Sequence, residues 1–200
     1  MTKIFLATGN KKKIIEIKKI LSELDIEIYS INDGIEIPEV IEDKETFEEN
    51  SQKKAVEISK HLNMITIADD SGLCVECLEG RPGVYSARYS GENATDLTNS
   101  KKVIDEIKEI EKEKSKNRKA KLVTVITLAK PTGETYSFRG ELEGEIIDEA
   151  RGTEGFGYDS HFYVEEYEKT LSELGELKNK ISHRTKALKK LEKELSKILG

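Results

Sequence analysis

The alternation of helical and strand patterns constrains the fold of this chain more than any other feature of its sequence. Apolar residues recur at helical spacing in some segments and form compact runs in others, from a strand pattern at 2–7 to a helix pattern at 182–199. Late in the chain, two strand-like segments flank KPTG, which is typical of a hairpin turn. Hairpins join antiparallel strands, whereas strand–helix–strand order favours parallel pairing. The sequence therefore predicts an α/β fold with a mixed β-sheet flanked by helices.

Individual elements follow from the same periodicity. Helices are expected at 11–24, from 46 to about 62, at 95–114 and at 182–199, and buried strands at 64–68 and 73–78. Thr46 and Glu49 form a capping box for the second helix. The charged segment 108–121 is expected to be a solvated helix end and loop. Since no repeat or Pro/Gly/Ser-rich linker is visible, we expect one domain over 1–200.

Charge and hydropathy exclude several function classes. The chain has 33 basic and 39 acidic residues, for a net charge of −6. Broad nucleic-acid binding needs a strongly basic face, so this balance argues against it but allows a local basic pocket. No apolar run approaches the ~20 residues that span a bilayer, and no signal-peptide pattern is visible. We therefore expect a cytoplasmic protein without a membrane partner.

The segment LATGNKKKIIEI places three lysines, residues 11–13, in the first turn of a predicted helix. Asn10 is a good N-cap there, but a helix start already carries partial positive charge and favours acidic residues. Solvated lysines on an exposed turn are one interpretation, at a cost of about 0.3–1 kcal/mol each. In the other, the strand, Gly9 and the free backbone N–H groups form a phosphate site that the lysines complete. This segment alone leaves both open.

Paired acidic residues follow the strand predicted at 64–68. Asp69 and Asp70, followed by Ser71, are expected to emerge in a turn at its carboxyl end, where open α/β sheets bind ligands. Asp and Ser are also ordinary turn residues, but this turn lies between two buried segments. Paired carboxylates there would suit Mg²⁺, which takes one or two carboxylates together with phosphate oxygens and water. A second acidic group consists of Glu39, Glu42, Asp43 and Glu45, most of which should be solvated.

Two segments near the C-terminus add to this pattern. The glycine-rich segment 151–162 contains Phe156 and Tyr158, whose rings either stack on a nucleobase or close the loop with an aromatic core. In ISHR, the predicted N-cap is followed by His183 and Arg184, so cations again occupy the positive end of a helix. Two such mismatches, together with Mg²⁺-type acids and an aromatic loop, indicate a nucleoside phosphate pocket.

Five segments occur in the order found in the inosine/xanthosine triphosphate pyrophosphatases, and the chain resembles this family from end to end. They are LATGNKKK, ADDSGL, PGVYSARYSG, GFGYD and ISHR. The resemblance implies two lobes with a central cleft, and usually a homodimer. It also implies Mg²⁺-dependent hydrolysis of non-standard purine nucleoside triphosphates, such as ITP, dITP and XTP, to the monophosphate and pyrophosphate. This reaction cleans the nucleotide pool.

The resemblance also assigns roles by motif position. Asp70 is the implied acidic catalytic residue, which orients or deprotonates the attacking water, and it is, with Glu42, an implied Mg²⁺ ligand. The implied triphosphate-binding residues are Thr8, Gly9, Asn10, Lys11, Lys12 and Lys13. Ser71 is implied to contact substrate, Phe156, Gly157, Tyr158 and Asp159 to line the base pocket, and Lys178, His183 and Arg184 to contact the base or the phosphates.

Two alternatives compete with this interpretation, one of the same enzyme class and one of a different functional class. A pyrophosphatase of related fold could act on modified pyrimidine nucleotides, although TGNKKK and SHR argue against it, and a substrate profile separates the two. A non-catalytic nucleotide-binding regulator would keep its function when Asp70 is replaced by Asn. The enzyme interpretation predicts that this replacement abolishes turnover.

Overall fold

The computed structural model describes residues 2–22 and 24–200. Its strands are β1 Thr2–Leu6, β2 Ile26–Ser30, β3 Ile65–Val75, β4 Lys119–Ala129, β5 Thr135–Ile146, β6 Phe162–Val164 and β7 Lys169–Thr170. Its α-helices are α1 Lys11–Ile20, α2 Phe47–Leu62, α3 Asp96–Glu111, α4 Lys178–Ile181 and α5 His183–Leu199.

The strands form a sheet in the order β2-β1-β3-β4-β5-β6-β7. β1 pairs in parallel with β2 and β3, whereas β6 pairs antiparallel with β5 and β7. The turn at KPTG is also present, since the Gly133 N–H donates to the Lys130 carbonyl at 2.9 Å. The predicted α/β fold with a mixed sheet is therefore confirmed.

The chain divides into two compact units. The first comprises residues 1–70, 124–140 and 184–200, and the second comprises 71–123 and 141–183. Each unit has its own apolar core among the described residues.

In the first unit, the alternation of side chains along β1 and β3 sorts the helices onto two faces. Leu6 and Ile67 are buried with residues of α1 and α5. Their neighbours Phe5 and Ala68 are buried with residues of α2. Successive strand residues point to opposite faces, and each buried large apolar side chain contributes about 1.5–3 kcal/mol to stability. The same alternation places the next two residues of β3 on opposite faces.

Two of the long helices each bury a stripe of apolar residues at helical spacing. In α5 of the first unit, the buried stripe consists of Leu188, Leu191, Leu195 and Ile198. In α3 of the second unit, Val103, Ile104 and Ile107 are buried against residues of β3 to β6, including Leu73 and Phe162. No helix in the described part of the chain has the length and apolar character needed to cross a membrane.

The prediction of a polar turn at residues 69–72 is wrong. β3 runs unbroken through this segment to Val75, and Glu76–Leu78, which was also expected to be strand, is a 3₁₀ helix. The last β1–β3 pair is Leu6 with Ile67, after which β3 keeps β4 as its hydrogen-bonded neighbour. Because β4 remains as a hydrogen-bonded neighbour, the chain can continue through these polar residues as a strand. Asp69 and Asp70 therefore lie within β3, just beyond its last pair with β1, and not at the carboxyl end of their own strand as predicted.

The predicted helix limits agree closely with the structure at three starts. Thr46 caps α2 by accepting a hydrogen bond from the Glu49 N–H at 3.2 Å, Thr95 caps α3, and Ser182 directly precedes α5. The first helix ends at Ile20 and not at position 24, because the chain turns after it. Position 23, within that prediction, lies outside the described residues.

The prediction of a solvated charged segment at 108–121 is wrong for Arg118. Its side chain is only 9% exposed and pairs with Glu111 and Asp148, each at 2.7 Å. The guanidinium offers several donors in a fixed geometry, so one arginine can connect two carboxylates. Arg118 therefore joins the end of α3 to the segment after β5.

Candidate active site

Asp69 gathers cations on the α1 and α5 face of the first unit. Its carboxylate lies 2.6 Å from Lys13 Nζ and 4.0 Å from Arg184 Nε, and its side chain is only 2% exposed. Burial alone would raise the pKa of Asp69, but the charges of Lys13, Arg184 and Lys54 outweigh it and hold the pKa well below its usual range. Asp69 is therefore ionised at neutral pH and fixes the cations around it.

The three lysines at the start of α1 are not equivalent. Asn10 caps the helix as predicted, because its side-chain oxygen accepts from the N–H groups of Lys12 and Lys13 at 3.0 and 3.2 Å. Burial lowers the pKa of Lys13, and its ion pair with Asp69 offsets this only in part. Lys11 and Lys12 are exposed. Lys13, one of the three lysines at this helix start, thus pairs with a carboxylate of the protein itself, that of Asp69.

The second mismatched cation, Arg184, also has protein partners. It occupies the first turn of α5, where its side chain is 3% exposed. Its Nη1 lies 2.6 Å from Glu16 Oε2 on α1, in addition to the approach of Nε to Asp69. Buried guanidinium groups need such carboxylates to offset the loss of water. The sequence did not identify Glu16, because it lies within a lysine-rich helix.

Asp70 points to the opposite face of β3, toward α2. Asn50 Nδ2 donates to its Oδ2 at 3.1 Å, and the residue is 6% exposed. Burial and the nearby charge of Glu42 raise the pKa of Asp70 to about 6, although Asn50 and Lys54 oppose this. A carboxylate with such a pKa exchanges protons near neutral pH, as general acid–base catalysis requires. Two adjacent aspartates therefore differ in protonation behaviour.

Glu42 is held close to these acids by Lys54. The Lys54 ammonium contacts Glu42 Oε1 and donates to the Asp69 carbonyl oxygen at 3.0 Å. Burial alone would lower the pKa of Lys54, but Asp69 and Glu42 outweigh it and raise the pKa above its usual value. Lys54 is therefore cationic, and it joins the segment before α2 to β3.

Asn50 and Lys54 were missed by sequence reasoning. They lie four residues apart on α2 and so share one side of the helix, where Asn50 is fully buried. A buried polar residue on the apolar face of a helix usually serves a specific partner. This interruption of the apolar face was the available signal, but only the structure shows that the partner is Asp70.

The turn after β1 lines a cavity of ≈ 360 Å³ within the first unit. Thr8 and Gly9 contribute to it, together with Glu39, Lys54 and several apolar residues. Of the four acids that the sequence grouped before α2, Glu39 and Glu42 therefore lie near predicted site residues. Asp43 pairs instead with Lys53 at 2.8 Å in an exposed position.

In the second unit, Asp159 organises the glycine-rich loop. Its Oδ2 accepts hydrogen bonds from the Phe156 N–H at 3.0 Å and from Lys178 Nζ at 2.8 Å. The Lys178 and Asp159 side chains are less than 10% exposed. At Gly155, where φ is +88°, any Cβ would overlap this carboxylate, so glycine is required. Asp159 and Lys178, both predicted site residues, are thus brought together.

The two aromatic residues of the loop have different surroundings. Tyr158 is buried in the core of the second unit, and its hydroxyl donates to the Ser86 carbonyl at 2.7 Å. Burial raises the pKa of Tyr158 far above that of free tyrosine. Phe156 is only half-buried, with Lys178 Nζ 5.1 Å from its ring centroid. The closed-core interpretation fits Tyr158, whereas Phe156 is only partly buried and is not among the described residues of that core.

The remaining predicted residues lie close in sequence to those described above. Ser71 is half-buried in β3, immediately after Asp70, and His183 is buried at the start of α5. Both belong to the second unit. Their contacts with substrate stay predictions, as do the individual roles of the loop residues.

Comparison with known proteins places this chain among relatives of similar length. The sequence model of the Ham1 family matches residues 4–194. A dITP/XTP pyrophosphatase of Geobacter sulfurreducens is 47% identical, with 98% of this chain and 97% of the relative covered. One from Desulfotalea psychrophila is also 47% identical, with 98% and 86% covered. The solved structure of a HAM1 protein from Coxiella burnetii has a TM-score of 0.90 at 37% identity, covering 98% of this chain and 100% of that one. Matched along nearly its whole length in both sequence and fold, the chain belongs to the Ham1 family.

Proposed function

We propose that this chain hydrolyses non-standard purine nucleoside triphosphates, such as ITP, dITP and XTP, to the nucleoside monophosphate and pyrophosphate. The observation that carries the proposal is the pair of adjacent aspartates in β3. Asp69 gathers three cations, while Asp70 has a pKa raised to about 6. The names of the relatives, dITP/XTP pyrophosphatases, support this substrate class.

The first unit supplies the chemistry that a triphosphate needs. The residues proposed to hold the phosphates are Thr8, Gly9, Asn10, Lys11, Lys12 and Lys13. The pairing of Lys13 with Asp69 fixes its ammonium before substrate arrives, which lowers the entropy cost of binding. Lys11 and Lys12 are exposed beside the positive end of α1. These cations would offset the charge that develops on the pyrophosphate leaving group.

Asp70 acts on the attacking water. Its carboxylate orients the water near the α-phosphorus and accepts a proton as the new P–O bond forms. The bond from that phosphorus to the oxygen bridging the α- and β-phosphates breaks, and this oxygen leaves with pyrophosphate. Asn50 holds one oxygen of the carboxylate in place, which orients the other for proton transfer.

Mg²⁺ fits the acids of this cluster. Glu42 and Asp70 are close enough for the charge of Glu42 to raise the pKa of Asp70, a repulsion that a divalent cation would relieve. Residues 2–22 and 24–200 contain no group of three or more His, Cys, Asp or Glu residues arranged to hold a metal. Further ligands would therefore be water and phosphate oxygens, as is usual for Mg²⁺. The bound ion would polarise the phosphates and neutralise developing charge.

The second unit supplies base recognition. The half-buried ring of Phe156 offers a stacking surface, worth about 1–3 kcal/mol for one base. Lys178 and His183 offer donors, which match the 6-oxo acceptor of hypoxanthine and xanthine. Adenine presents an amino donor there, so its binding would leave buried donors unpaired. Ser71 is proposed as a further substrate contact, and Arg184 as a contact to the base or the phosphates.

The proposal extends to the setting of the reaction. We expect a homodimer that acts in the cytoplasm on free nucleotides, without nucleic-acid or membrane partners. The net charge of −6 argues against broad nucleic-acid binding and allows a small anionic ligand in a local basic pocket. Light scattering at working concentration tests the dimer, for which we expect twice the mass of one chain.

Pyrophosphate release tests the function directly. The purified protein is assayed with Mg²⁺ on dITP, ITP, XTP, GTP and ATP, with EDTA in parallel and Asp70→Asn as the background control. We expect fast release from the first three substrates and its loss with EDTA or in the variant. No release from any of them would contradict the proposal and favour a nucleotide-binding regulator or a pyrimidine substrate.

A further inference from the structure

We propose that Asp96 is a positioning residue that fixes the loop 156–159 for base recognition, an inference that rests on the function proposed for this loop. Asp96 is the first residue of α3 and lies far from the loop in sequence. Its Oδ2 accepts a hydrogen bond from the Gly157 N–H at 2.6 Å. Hydrogen bonds to charged acceptors are shorter and about twice as strong as neutral ones.

Two consecutive N–H groups of the loop donate to two different carboxylates. The Phe156 N–H donates to Asp159, which lies within the loop, and the Gly157 N–H donates to Asp96. Gly157 adopts φ +65°, a left-handed conformation that other residues rarely tolerate. Asp159 and Asp96 therefore each hold one of two successive peptide groups of the loop.

The start of α3 is a fixed support for Asp96. Asn99, one turn further along, is 3% exposed. Its Nδ2 donates to the Ala87 carbonyl at 3.1 Å, and its Oδ1 accepts from the Ser90 N–H at 2.8 Å. The first turn of α3 is thereby attached to the segment around the 3₁₀ helix Gly83–Arg88.

The same 3₁₀ helix also holds the loop from the other side. The Ser86 carbonyl in it accepts the hydrogen bond from the buried Tyr158 hydroxyl. Residues 157 and 158 are therefore attached to two elements, α3 and the 3₁₀ helix, that Asn99 joins to each other. The half-buried ring of Phe156 immediately precedes these attachment points, so its direction depends on them. A recognition loop needs such support to hold a base in one geometry.

A purely structural role is the competing explanation. An acidic residue in the first turn of a helix interacts favourably with the helix dipole and stabilises the protein without affecting substrate. That role predicts a change in melting temperature and no change in KM. The positioning role predicts a raised KM whether or not the melting temperature changes, because the orientation of the loop determines substrate affinity.

Steady-state kinetics with XTP and Mg²⁺ separate the two roles. Asp96→Ala should raise KM roughly tenfold, as expected for losing a charge-assisted hydrogen bond, and leave kcat within about twofold. Asp96→Asn keeps an oxygen that can accept from the Gly157 N–H and should restore most of the affinity. Asp105→Ala is the matched control on the same helix, because Asp105 forms an exposed pair with Lys101, and it should behave as wild type. If Asp96→Ala does not fold, Asp96→Ser removes the same contact with a small polar residue.

Amide hydrogen exchange at Gly157 provides a readout that does not depend on turnover. We expect exchange about tenfold faster in Asp96→Ala than in wild type or Asp105→Ala, at unchanged global stability. Unchanged KM and exchange, or a kcat loss without a KM change, would overturn the inference. If wild type does not hydrolyse XTP but the exchange result holds, the proposed function fails while the attachment of the loop by Asp96 stands.

Discussion

The carboxylates of the two units differ in their partners. In the first unit, Asp69 faces the side-chain cations of Lys13 and Arg184, so its buried carboxylate holds these two cations in place. In the second unit, Asp96 and Asp159 accept hydrogen bonds from backbone N–H groups and thereby shape a loop, and Asp159 also pairs with Lys178. A cluster of fixed charges suits the phosphate-binding role proposed for the first unit, whereas a shaped aromatic loop suits the base-binding role proposed for the second.

The largest expected effect comes from replacing the ionisable carboxylate of Asp70 in the first unit. Asp70→Asn should lower kcat by about 10³-fold or more, because general-base catalysis contributes 10²–10⁴-fold. The amide keeps the shape of the carboxylate and an oxygen for the bond from Asn50, so the fold should persist. Single-turnover assays with dITP measure the loss, and circular dichroism checks the fold. Turnover within tenfold of wild type would remove Asp70 from the mechanism.

Removing a fixed cation should have the next largest effect. Lys13→Ala should raise the KM for XTP by about 10- to 100-fold, the range for losing a charge-assisted contact. It also takes one cation from buried Asp69, which should cost about 1–3 kcal/mol of stability, less than for an isolated buried charge because Arg184 and Lys54 remain. The control for the effect on stability is Lys11→Ala, which removes an exposed lysine of the same turn. Equal effects of both variants on stability would contradict the distinct role of Lys13.

A smaller effect is expected at the aromatic loop. Phe156→Ala should raise the KM for XTP about tenfold through lost stacking and leave kcat nearly unchanged. Phe156→Tyr retains an aromatic face and should remain close to wild type. Steady-state kinetics on both variants measure this difference. A kcat loss in Phe156→Ala with unchanged KM would mean that the ring acts on the reacting groups and not on the base.

The smallest expected effect is a pH dependence of stability in the absence of Mg²⁺. The pKa of Asp70 is raised to about 6, so the folded state binds more protons than the unfolded state between about pH 4 and 6. The contribution of Asp70 to the free energy of unfolding therefore falls, by about 2 kcal/mol, as pH rises through this window. Asp69 has a lowered pKa, so its contribution is present above about pH 4 and is lost at lower pH.

Denaturant titrations at pH 4.5 and 7.5 measure this dependence. Asp70→Asn should show a smaller loss of stability between the two pH values than wild type, because the amide does not titrate. An identical pH dependence in variant and wild type would show that Asp70 has an ordinary pKa.

Much of this arrangement could be predicted from local patterns. Periodicity identified α3, α5 and the KPTG turn, and the motifs identified Asp70 and the loop around Phe156. The sequence could not show that Asp69 and Asp70 lie within a strand, because adjacent polar residues are typical of turns. The strand continues through them beside β4, and this pairing is visible only in the structure. The opposite directions of the two aspartates, and so their opposite pKa shifts, follow from the strand alternation.

The sequence also could not predict contacts between residues that lie far apart along the chain. Asn50, Lys54 and Glu16 act through residues of other elements, and no local pattern indicates which carboxylate or cation a helical side chain meets. Arg118 shows the same limit, since it lies in a charged segment that suggests full solvation but contacts Glu111 and Asp148.

The proposed separation of phosphate recognition from base recognition is tested most directly by inhibition with inorganic triphosphate, which has phosphates but no base. Its inhibition constant against XTP hydrolysis is measured for wild type, Lys13→Ala and Phe156→Ala. We predict that Lys13→Ala weakens inhibition about tenfold and that Phe156→Ala leaves it within about twofold, although both raise the KM for XTP. Equal weakening in both variants, or none in Lys13→Ala, would contradict separate recognition of phosphate and base.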